Sequence, residues 1–299
     1  MPHIKSNSKN IYYEEYGKEH PHSIVYFHGG PGEGCWSFAQ VARELGEKYH
    51  VVIFDQYGVL RSDAIPEDES CVIAEHIEII EELRKQLNIE KCTVLGHSYG
   101  GMLACLYAHT HPERAHSVIY DNPTWNWLLT ARTIASTLQP YFQDANNSEA
   151  FGICAKVLSD DMSSRDSFDS IFALMSHGDD KMHENMRAID VDVYNQYVEK
   201  HNLRVYVDDW QKYKIHQQKL FENDGFADDY LPLLKEIAVP SLLMVGEYDI
   251  TCGEEQQEYF IQNAPNRMFV EFENCAHLLW MQQPEVYIKT IVDFLDKIS

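Results

Sequence analysis

Short apolar runs alternate along this chain with stretches of helical periodicity. The strand candidates are NIYYEEYG (10–17), SIVYF (23–27), HVVIFD (50–55), CTVLG (92–96), HSVIYD (116–121), PSLLMVG (240–246) and RMFVEFE (267–273). Between two of them, residues 72–87 place isoleucine, leucine and valine side chains on one helical face. Continuously apolar strands are typical of a parallel sheet covered by helices on both faces. The pattern therefore predicts an α/β fold with a mostly parallel central sheet flanked by helices.

One long region interrupts this alternation. From residue 123 to residue 236 the chain has helical patterns with aromatic side chains, such as TWNWLLTARTIASTL, and no convincing buried strand. The alternation resumes at PSLLMVG. We therefore expect a core made of residues 1–122 and 237–299, and a helical cap of residues 123–236 that is inserted between two strands of the sheet.

Composition and charge exclude several kinds of partner. The chain has 299 residues, of which 44% are hydrophobic, and its formal net charge is −23. Binding to a nucleic-acid backbone needs clustered positive charge, and an anionic membrane surface would also repel this chain. No apolar run reaches the roughly 20 residues of a membrane-spanning helix. We therefore predict a small-molecule or peptide partner, with no nucleic acid and no membrane. The oligomeric state stays open.

The cysteines and the first residues indicate a cytoplasmic protein. The chain has seven cysteines and no C-x-x-C pair. An odd number without that spacing favours reduced thiols over a disulfide framework or a zinc site. The start, MPHIKSNSKN, is polar and lacks the apolar segment of a secretory signal. We therefore expect a cytoplasmic location.

The motif with the clearest chemical meaning is VLGHSYGG at positions 94–101. It contains the pattern G-x-S-x-G, with Gly96, Ser98 and Gly100 at the fixed positions. A strand candidate precedes the pattern and a helical run follows it, which is the context of a nucleophile elbow. Such an elbow holds a serine in a sharp turn at the end of a strand and exposes its hydroxyl. The motif predicts Ser98 as a catalytic nucleophile.

A serine hydroxyl needs a base, and the base needs an acid that orients it. His277 follows the last strand candidate, and Asp249 follows the strand candidate before it. The chain order serine, aspartate, histidine is that of α/β-hydrolases, so we predict an α/β-hydrolase fold with Ser98, Asp249 and His277 as the triad. Asp121 is the alternative acid, because it ends the strand candidate before the cap.

The glycine-rich stretch FHGGPGEG, positions 27–34, follows a strand candidate and favours close approach to negative charge. A phosphate loop would need lysine and then serine or threonine after its last glycine, but Cys35 and Trp36 stand there. In a serine hydrolase this loop supplies one N–H group of the oxyanion hole, and the residue after the nucleophile supplies the other. We predict Gly30 and Tyr99 as the donors, with Gly29 as the alternative to Gly30. This chemistry needs no cofactor and no metal ion.

Several motifs together resemble one known family. HGGPG (28–32), DQYGVLRSD (55–63), GHSYGG (96–101), GEYD (246–249) and the loop of His277 look like those of the proline iminopeptidases, which include the tricorn-interacting aminopeptidases. The resemblance covers roughly residues 10–122 and 237–299. It implies an α/β-hydrolase that removes an N-terminal residue, often proline or another small or apolar residue, from short peptides through an acyl-enzyme. Two positions depart from the family pattern: Leu60 replaces a common glycine, and His97 replaces a common glycine or serine before the nucleophile.

The resemblance also implies glutamates in the cap that bind the free ammonium group of the substrate. Glu222 in LFENDGF is the first candidate, followed by Glu184 and Glu199. Trp36 and Trp125 are candidates for the walls of the substrate pocket. Residues 55–62, which contain DQ and RS, are interpreted mainly as a hydrogen-bonded loop that braces the mouth of the site.

Two other functions remain compatible with these motifs. An esterase, thioesterase or lactonase would use the same triad and need no ammonium site. A ligand receptor could keep the triad with negligible turnover.

Overall fold

The computed structural model describes residues 2–159, 161–178, 182, 191–201, 211–222 and 224–298. The strands in these ranges are β1 (His3–Ser6), β2 (Lys9–Tyr16), β3 (Ser23–Phe27), β4 (His50–Phe54), β5 (Cys92–His97), β6 (Ala115–Asp121), β7 (Ser241–Gly246) and β8 (Arg267–Phe272). They form one eight-stranded sheet in the order β1-β2-β4-β3-β5-β6-β7-β8. The neighbours from β4 to β8 pair in parallel, and β1 and β2 extend the sheet antiparallel at one edge.

The sequence-based strand assignments are confirmed, and one strand was missed. β1 has only four residues, and its burial alternates, with Ile4 and Ser6 facing inwards. A strand so short and so polar gives almost no periodic signal, so it escapes a search for apolar runs.

The helices of the described residues are α1 (Ala39–Leu45), α2 (Ile73–Gln86), α3 (Tyr99–Thr110), α4 (Trp127–Asp144), α5 (Ser148–Val157), α6 (Ser164–Ser176), α7 (Val191–Lys200), α8 (Gln211–Phe221), α9 (Glu254–Asn263), α10 (Leu279–Gln282) and α11 (Pro284–Ile298). Short 3-10 turns occur at Cys35–Phe38, Asp224–Ala227 and Leu231–Glu236.

The sheet separates two apolar cores, which explains why its strands are apolar at successive positions. In β3, Val25 and Phe27 belong to the core that also contains α2 and α3. The alternate residues Ile24 and Tyr26 belong to the core on the other face, with α1 and α11. Because successive side chains of a strand point to opposite faces, a strand buried on both faces has no polar side to expose.

In the described residues between β6 and β7 the regular elements are helices, α4 to α8 and two short 3-10 turns, joined by loops. Three of these helices begin at a side chain that caps the first turn: Asn126 accepts a hydrogen bond from the N–H of Leu129, and Asn147 and Ser163 do the same for α5 and α6. We keep the division into a core and an inserted helical cap at 123–236 as a proposal.

Helix α8 lies directly against loops of the sheet. The Lys212 ammonium donates to the carbonyls of Leu60 and Ser62 at 2.6 and 3.0 Å, and the Gln217 amide donates to the carbonyl of Pro31 at 3.1 Å. These contacts place α8 over the carboxyl ends of the parallel strands, where α/β proteins bind their ligands.

Two further predictions can be compared with the structure. All seven cysteines are buried and form no disulfide, as expected for reduced thiols. Across the described ranges, no helix combines the length and apolar character needed to span a bilayer.

Candidate active site

Ser98 lies in a strained turn between β5 and α3. Its backbone has φ 52° and ψ −122°, a conformation that non-glycine residues rarely adopt and that often occurs at functional sites. Its N–H donates to the carbonyl of Asp121 at 2.9 Å. A Cβ on Gly96 would overlap the carbonyl of Gly100, and a Cβ on Gly100 would overlap the carbonyl of Phe27. The two flanking glycines are therefore what allows the chain to turn here.

His277 and Asp249 are hydrogen-bonded to each other. His277 Nδ1 and Asp249 Oδ1 are 2.6 Å apart, and the carboxylate of Asp249 is fully buried. The second carboxylate oxygen, Oδ2, accepts hydrogen bonds from the N–H groups of Thr251 and Cys252 at 3.1 and 2.7 Å. A carboxylate held on both oxygens fixes the orientation of the imidazole and leaves its Nε2 free for proton transfer.

Opposing influences act on the pKa of His277. Burial lowers it, whereas the negative charge of Asp249 and the hydrogen bond to that carboxylate raise it, and the net result is a pKa above the ordinary value of 6.5. Asp249 therefore stabilises the imidazolium that forms when His277 accepts a proton.

Asp121, the alternative acid, lies in a different arrangement. Its Oδ2 accepts a hydrogen bond from the Tyr287 hydroxyl at 2.9 Å and is 3.5 Å from Nδ1 of His97. The His97 ring packs between the rings of His277 and Trp280, with centroid distances of 4.6 and 4.5 Å. The geometry thus pairs His277 with Asp249, whereas Asp121 contacts Tyr287 and His97.

A cavity of about 450 Å³ opens in front of Ser98. Its lining residues come from the glycine-rich loop, the elbow, the histidine loop and helices α7 and α8: Gly30, Glu33, Trp36, His97, Ser98, Tyr194, Tyr213, His277 and Leu278. The structure therefore brings together the predicted residues Ser98, His277, Gly30 and Trp36 in one space.

The glycine-rich loop approaches Ser98 closely. A Cβ on Gly29 would lie 3.2 Å from the Cβ of Ser98. Gly30 has φ 114° and is joined to Pro31 by a cis peptide bond. Tyr99 is the first residue of α3, and the first N–H groups of a helix have no acceptor within the helix. The oxyanion hole made of the Gly30 and Tyr99 N–H groups, with Gly29 as the alternative, stays a prediction that this geometry permits.

Of the cap glutamates predicted to bind substrate, Glu222 and Glu199 do not line this cavity. Glu222 is exposed, accepts a hydrogen bond from the Gln218 amide at 2.9 Å, and lines a separate surface depression with Arg165. Glu199 is exposed on α7, and Glu184 lies outside the described residues. The ammonium-binding hypothesis for Glu222 is not supported by this placement, because its side chain lines a different depression from the cavity in front of Ser98.

Trp125 also requires a correction. It is 0% exposed, and its indole stacks on the ring of Phe260 with a centroid distance of 5.8 Å and an interplanar angle of 10°. Its backbone N–H donates to Gln256. Trp125 is therefore part of the apolar core and does not form a wall of the cavity, unlike Trp36.

Sequence reasoning overlooked Glu33, which stands inside the glycine-rich stretch itself. It is half-buried, and its Oε1 accepts a hydrogen bond from the Ser37 hydroxyl at 2.9 Å. Within the described parts of the chain, no donor hydrogen-bonds Oε2, which points towards Gly29 and lies 3.1 Å from where its Cβ would be. Among the described lining residues, Glu33 is the one carboxylate. One sequence signal could have revealed Glu33. It is an acidic residue in a glycine-rich loop that was expected to lie next to negative charge.

The loop that contains DQ and RS braces the site, as the sequence suggested. Arg61 binds Asp55 through two hydrogen bonds, Nε to Oδ2 at 2.6 Å and Nη2 to Oδ1 at 3.0 Å, and both side chains are buried. Asp55 Oδ1 also accepts the N–H of Cys35 at 2.8 Å, which ties this loop to the glycine-rich loop. The N–H of Gln56 donates to Nε2 of His28 at 3.1 Å.

Substitution of Arg61 by alanine should destabilise the fold by about 3–5 kcal/mol, because it leaves Asp55 buried without its charged partner. Urea unfolding followed by circular dichroism measures the difference. Lys289→Ala is the control, because it removes the exposed partner of Asp293 and should change stability far less. A loss below about 1 kcal/mol in Arg61→Ala would show that the pair is not the brace described here.

Comparisons with known proteins agree with this architecture. A family model described as the alpha/beta hydrolase fold matches residues 22–284. A proline iminopeptidase of Heyndrickxia coagulans is 26% identical, covering 92% of this chain and 91% of that protein. The proline iminopeptidase of Saccharolobus solfataricus is 27% identical, covering 97% and 90%. The solved structure of a proline iminopeptidase-related protein from Thermus thermophilus superposes with a TM-score of 0.74 at 20% identity, covering 99% and 97%. The fold class and the resemblance predicted from the sequence are confirmed.

Proposed function

This chain belongs to the α/β hydrolase fold family, and from that membership we propose that it is a serine hydrolase that removes an N-terminal residue, proline or another small or apolar one, from short peptides. The observation that carries the proposal is one cavity that holds Ser98, the Asp249-bound His277 and the carboxylate of Glu33. The names of the two similar iminopeptidases support the substrate class.

The reaction proceeds in two acyl-transfer steps. Ser98 Oγ attacks the carbonyl carbon of the first residue while Nε2 of His277 takes the hydroxyl proton. The negative charge on the carbonyl oxygen is stabilised by the N–H groups of Gly30 and Tyr99. His277 then gives its proton to the leaving amine, and the peptide departs. Water, activated by the same imidazole, hydrolyses the ester on Ser98 and releases the amino acid.

Glu33 supplies a reason for acting at a free N-terminus. A peptide's ammonium group and the carbonyl that is attacked belong to the same residue and are joined through its Cα, so a carboxylate beside Ser98 that binds the ammonium positions that carbonyl for attack. A blocked N-terminus would cover the carboxylate without neutralising it, which carries an energetic cost. Trp36 and the rings of Tyr194 and Tyr213 provide apolar faces for a small ring or aliphatic side chain. The same faces attract an ammonium group.

Glu33→Gln should lower kcat/KM for proline p-nitroanilide by about 10- to 150-fold, the value of a hydrogen bond to a charged group at ~1.5–3 kcal/mol. Hydrolysis of p-nitrophenyl acetate, which has no ammonium group, should change little. Glu47→Gln, at an exposed position, is the matched control and should leave both activities intact.

Two results would separate this role from others. An unchanged kcat/KM for proline p-nitroanilide in Glu33→Gln would place the ammonium site elsewhere. An equal loss on the amine substrate and on the ester would mean that Glu33 acts on His277 or on the shape of the cavity rather than on the ammonium.

A panel of three substrates tests the proposed function itself: proline p-nitroanilide, its N-acetylated form, and p-nitrophenyl acetate. We expect the free amide to be cleaved at least about 100-fold faster than the blocked one, because only it binds Glu33 as an ion pair. Turnover of the ester alone would identify an esterase-type enzyme. No turnover of any of the three, in folded protein, would favour a receptor.

A further inference from the structure

Three metal-ligating side chains are buried together away from Ser98. Cys71 precedes α2, His76 lies in the first turn of α2, and His216 lies on α8. Each offers one ligand atom, and the three atoms lie within 4.8 Å of one another. The exposed fractions are 0% for Cys71, 3% for His76 and 0% for His216. None of these residues lines the catalytic cavity.

The hydrogen bonds of His216 leave one ring nitrogen ready to bind an ion. Nδ1 is 2.8 Å from the carbonyl oxygen of Tyr57, which can only accept, so Nδ1 carries the proton. Nε2 therefore presents a lone pair, and in the described parts of the chain it has no hydrogen-bond partner although it is fully buried. Buried polar atoms are nearly always satisfied. A backbone carbonyl on the opposite ring nitrogen is also the usual support of a metal-bound histidine.

The other two ligands are already at a compatible separation. Cys71 Sγ and His76 Nε2 are 3.2 Å apart. A sulfur and a nitrogen bound to one tetrahedral zinc ion, at about 2.3 and 2.0–2.1 Å from the metal, are roughly 3.5 Å apart. One thiol and two imidazoles form a ligand set that favours zinc and similar transition metals, and it excludes calcium and magnesium, which prefer oxygen.

We propose that Cys71, His76 and His216 bind one divalent transition-metal ion, with zinc as the best match. Binding displaces the thiol proton of Cys71, since the thiolate is the ligand. Three protein ligands leave one tetrahedral position, which a solvent molecule fills. The ion joins the start of α2, in the first part of the chain, to α8, which lies between β6 and β7.

Metal binding would fix the position of helix α8 over the catalytic cavity. Helix α8 carries Tyr213, which lines the cavity and lies so close to Gly32 that a Cβ there would overlap its ring. The next turn carries Gln217, which donates to the carbonyl of Pro31 in the glycine-rich loop. A metal ion at His216 would therefore hold α8 in the position that shapes the substrate pocket, and it would take no part in the chemistry.

Titration of the untagged, chelator-treated and reduced protein with Co²⁺ tests the site, because Co²⁺ replaces Zn²⁺ and is coloured. We expect saturation at one equivalent, with a thiolate-to-cobalt charge-transfer band in the near ultraviolet and the visible bands of a tetrahedral ion. Cys71→Ser should lose the charge-transfer band. Cys105→Ser, which alters another fully buried cysteine, should keep it.

A second variant and a second measurement keep the test decisive if Cys71→Ser fails to fold. His216→Gln should lose stoichiometric Co²⁺ binding, and one equivalent of Zn²⁺ should raise the melting temperature of the wild-type protein by several degrees but not that of His216→Gln. A wild-type protein without a thiolate charge-transfer band would overturn the proposal. Retention of that band in Cys71→Ser, or of one-equivalent binding in His216→Gln, would also overturn it.

Discussion

Replacement of Ser98 by alanine is expected to lower kcat for proline p-nitroanilide by roughly 10⁵-fold or more, because the proposed acyl-enzyme forms on the hydroxyl that this substitution removes. The fold should be unaffected, since the side chain of alanine is smaller than that of serine. Both residues have a Cβ, so the strain of a φ of 52° at position 98 is nearly the same for both. Purified protein, with melting temperature and circular dichroism as checks on folding, gives the comparison. The residual rate should come from binding and from the oxyanion donors alone.

The double variant Ser98→Ala/His277→Ala sharpens this expectation. Residues that act as a unit lose their whole effect with the first substitution, so the double variant should be no slower than Ser98→Ala alone. Additive losses would show that Ser98 and His277 act separately. More than about 1% of wild-type activity in Ser98→Ala would mean that another residue is the nucleophile.

Asp249→Asn should lower kcat by about 10⁴-fold, the second-largest effect we expect. The carboxylate accepts the Nδ1–H of His277 and so keeps Nε2 unprotonated. An asparagine can present its NH₂ group instead, which favours the tautomer with the proton on Nε2, and that tautomer cannot accept the proton of Ser98.

The matched control is Asp121→Asn, which alters a carboxylate hydrogen-bonded to Tyr287. This substitution should lower kcat by about tenfold or less, because the Asp121 carboxylate does not touch His277. A larger loss in Asp121→Asn than in Asp249→Asn would reverse the assignment of the acid.

The pH profile gives an independent readout of the same pair. His277 must be neutral to act as a base, so activity falls as the pH drops through the pKa of His277. Asp249 raises this pKa above 6.5 against the opposing effect of burial. The acidic limb of kcat/KM in the wild-type enzyme should therefore lie above that value, and in Asp249→Asn it should move to lower pH. An unmoved limb would show that another group controls it.

Local patterns in the sequence were enough to predict the sheet and to select Ser98, Asp249 and His277 as candidate reacting groups. Apolar runs report burial on both faces, and Ser98, Asp249 and His277 each follow a strand, so parallel pairing brings their loops to one edge. Glycines at 96 and 100 mark a turn that only small residues permit. These features depend on neighbouring residues or on the order of the elements along the chain, and both can be read from the sequence.

The remaining parts depend on how distant segments pack. Glu222 and Trp125 were chosen for residue type and position in the cap, but the direction of α8 and the core around Phe260 decide where their side chains point. Glu33 was visible in the sequence, yet its meaning depends on which cavity it faces. His216 approaches Cys71 only because α8 lies on the loops of the sheet. No periodicity in the sequence indicates such contacts between distant segments.

Labelling with a fluorophosphonate, followed by peptide mass spectrometry, tests the assignment of the nucleophile most directly. The reagent phosphonylates a serine only where a neighbouring base activates it. We expect one adduct per chain, on the peptide that contains Ser98, with parallel loss of peptidase activity and no adduct in Ser98→Ala. An adduct on another serine, or an active enzyme that remains unlabelled and uninhibited, would contradict the assignment of Ser98 as the nucleophile.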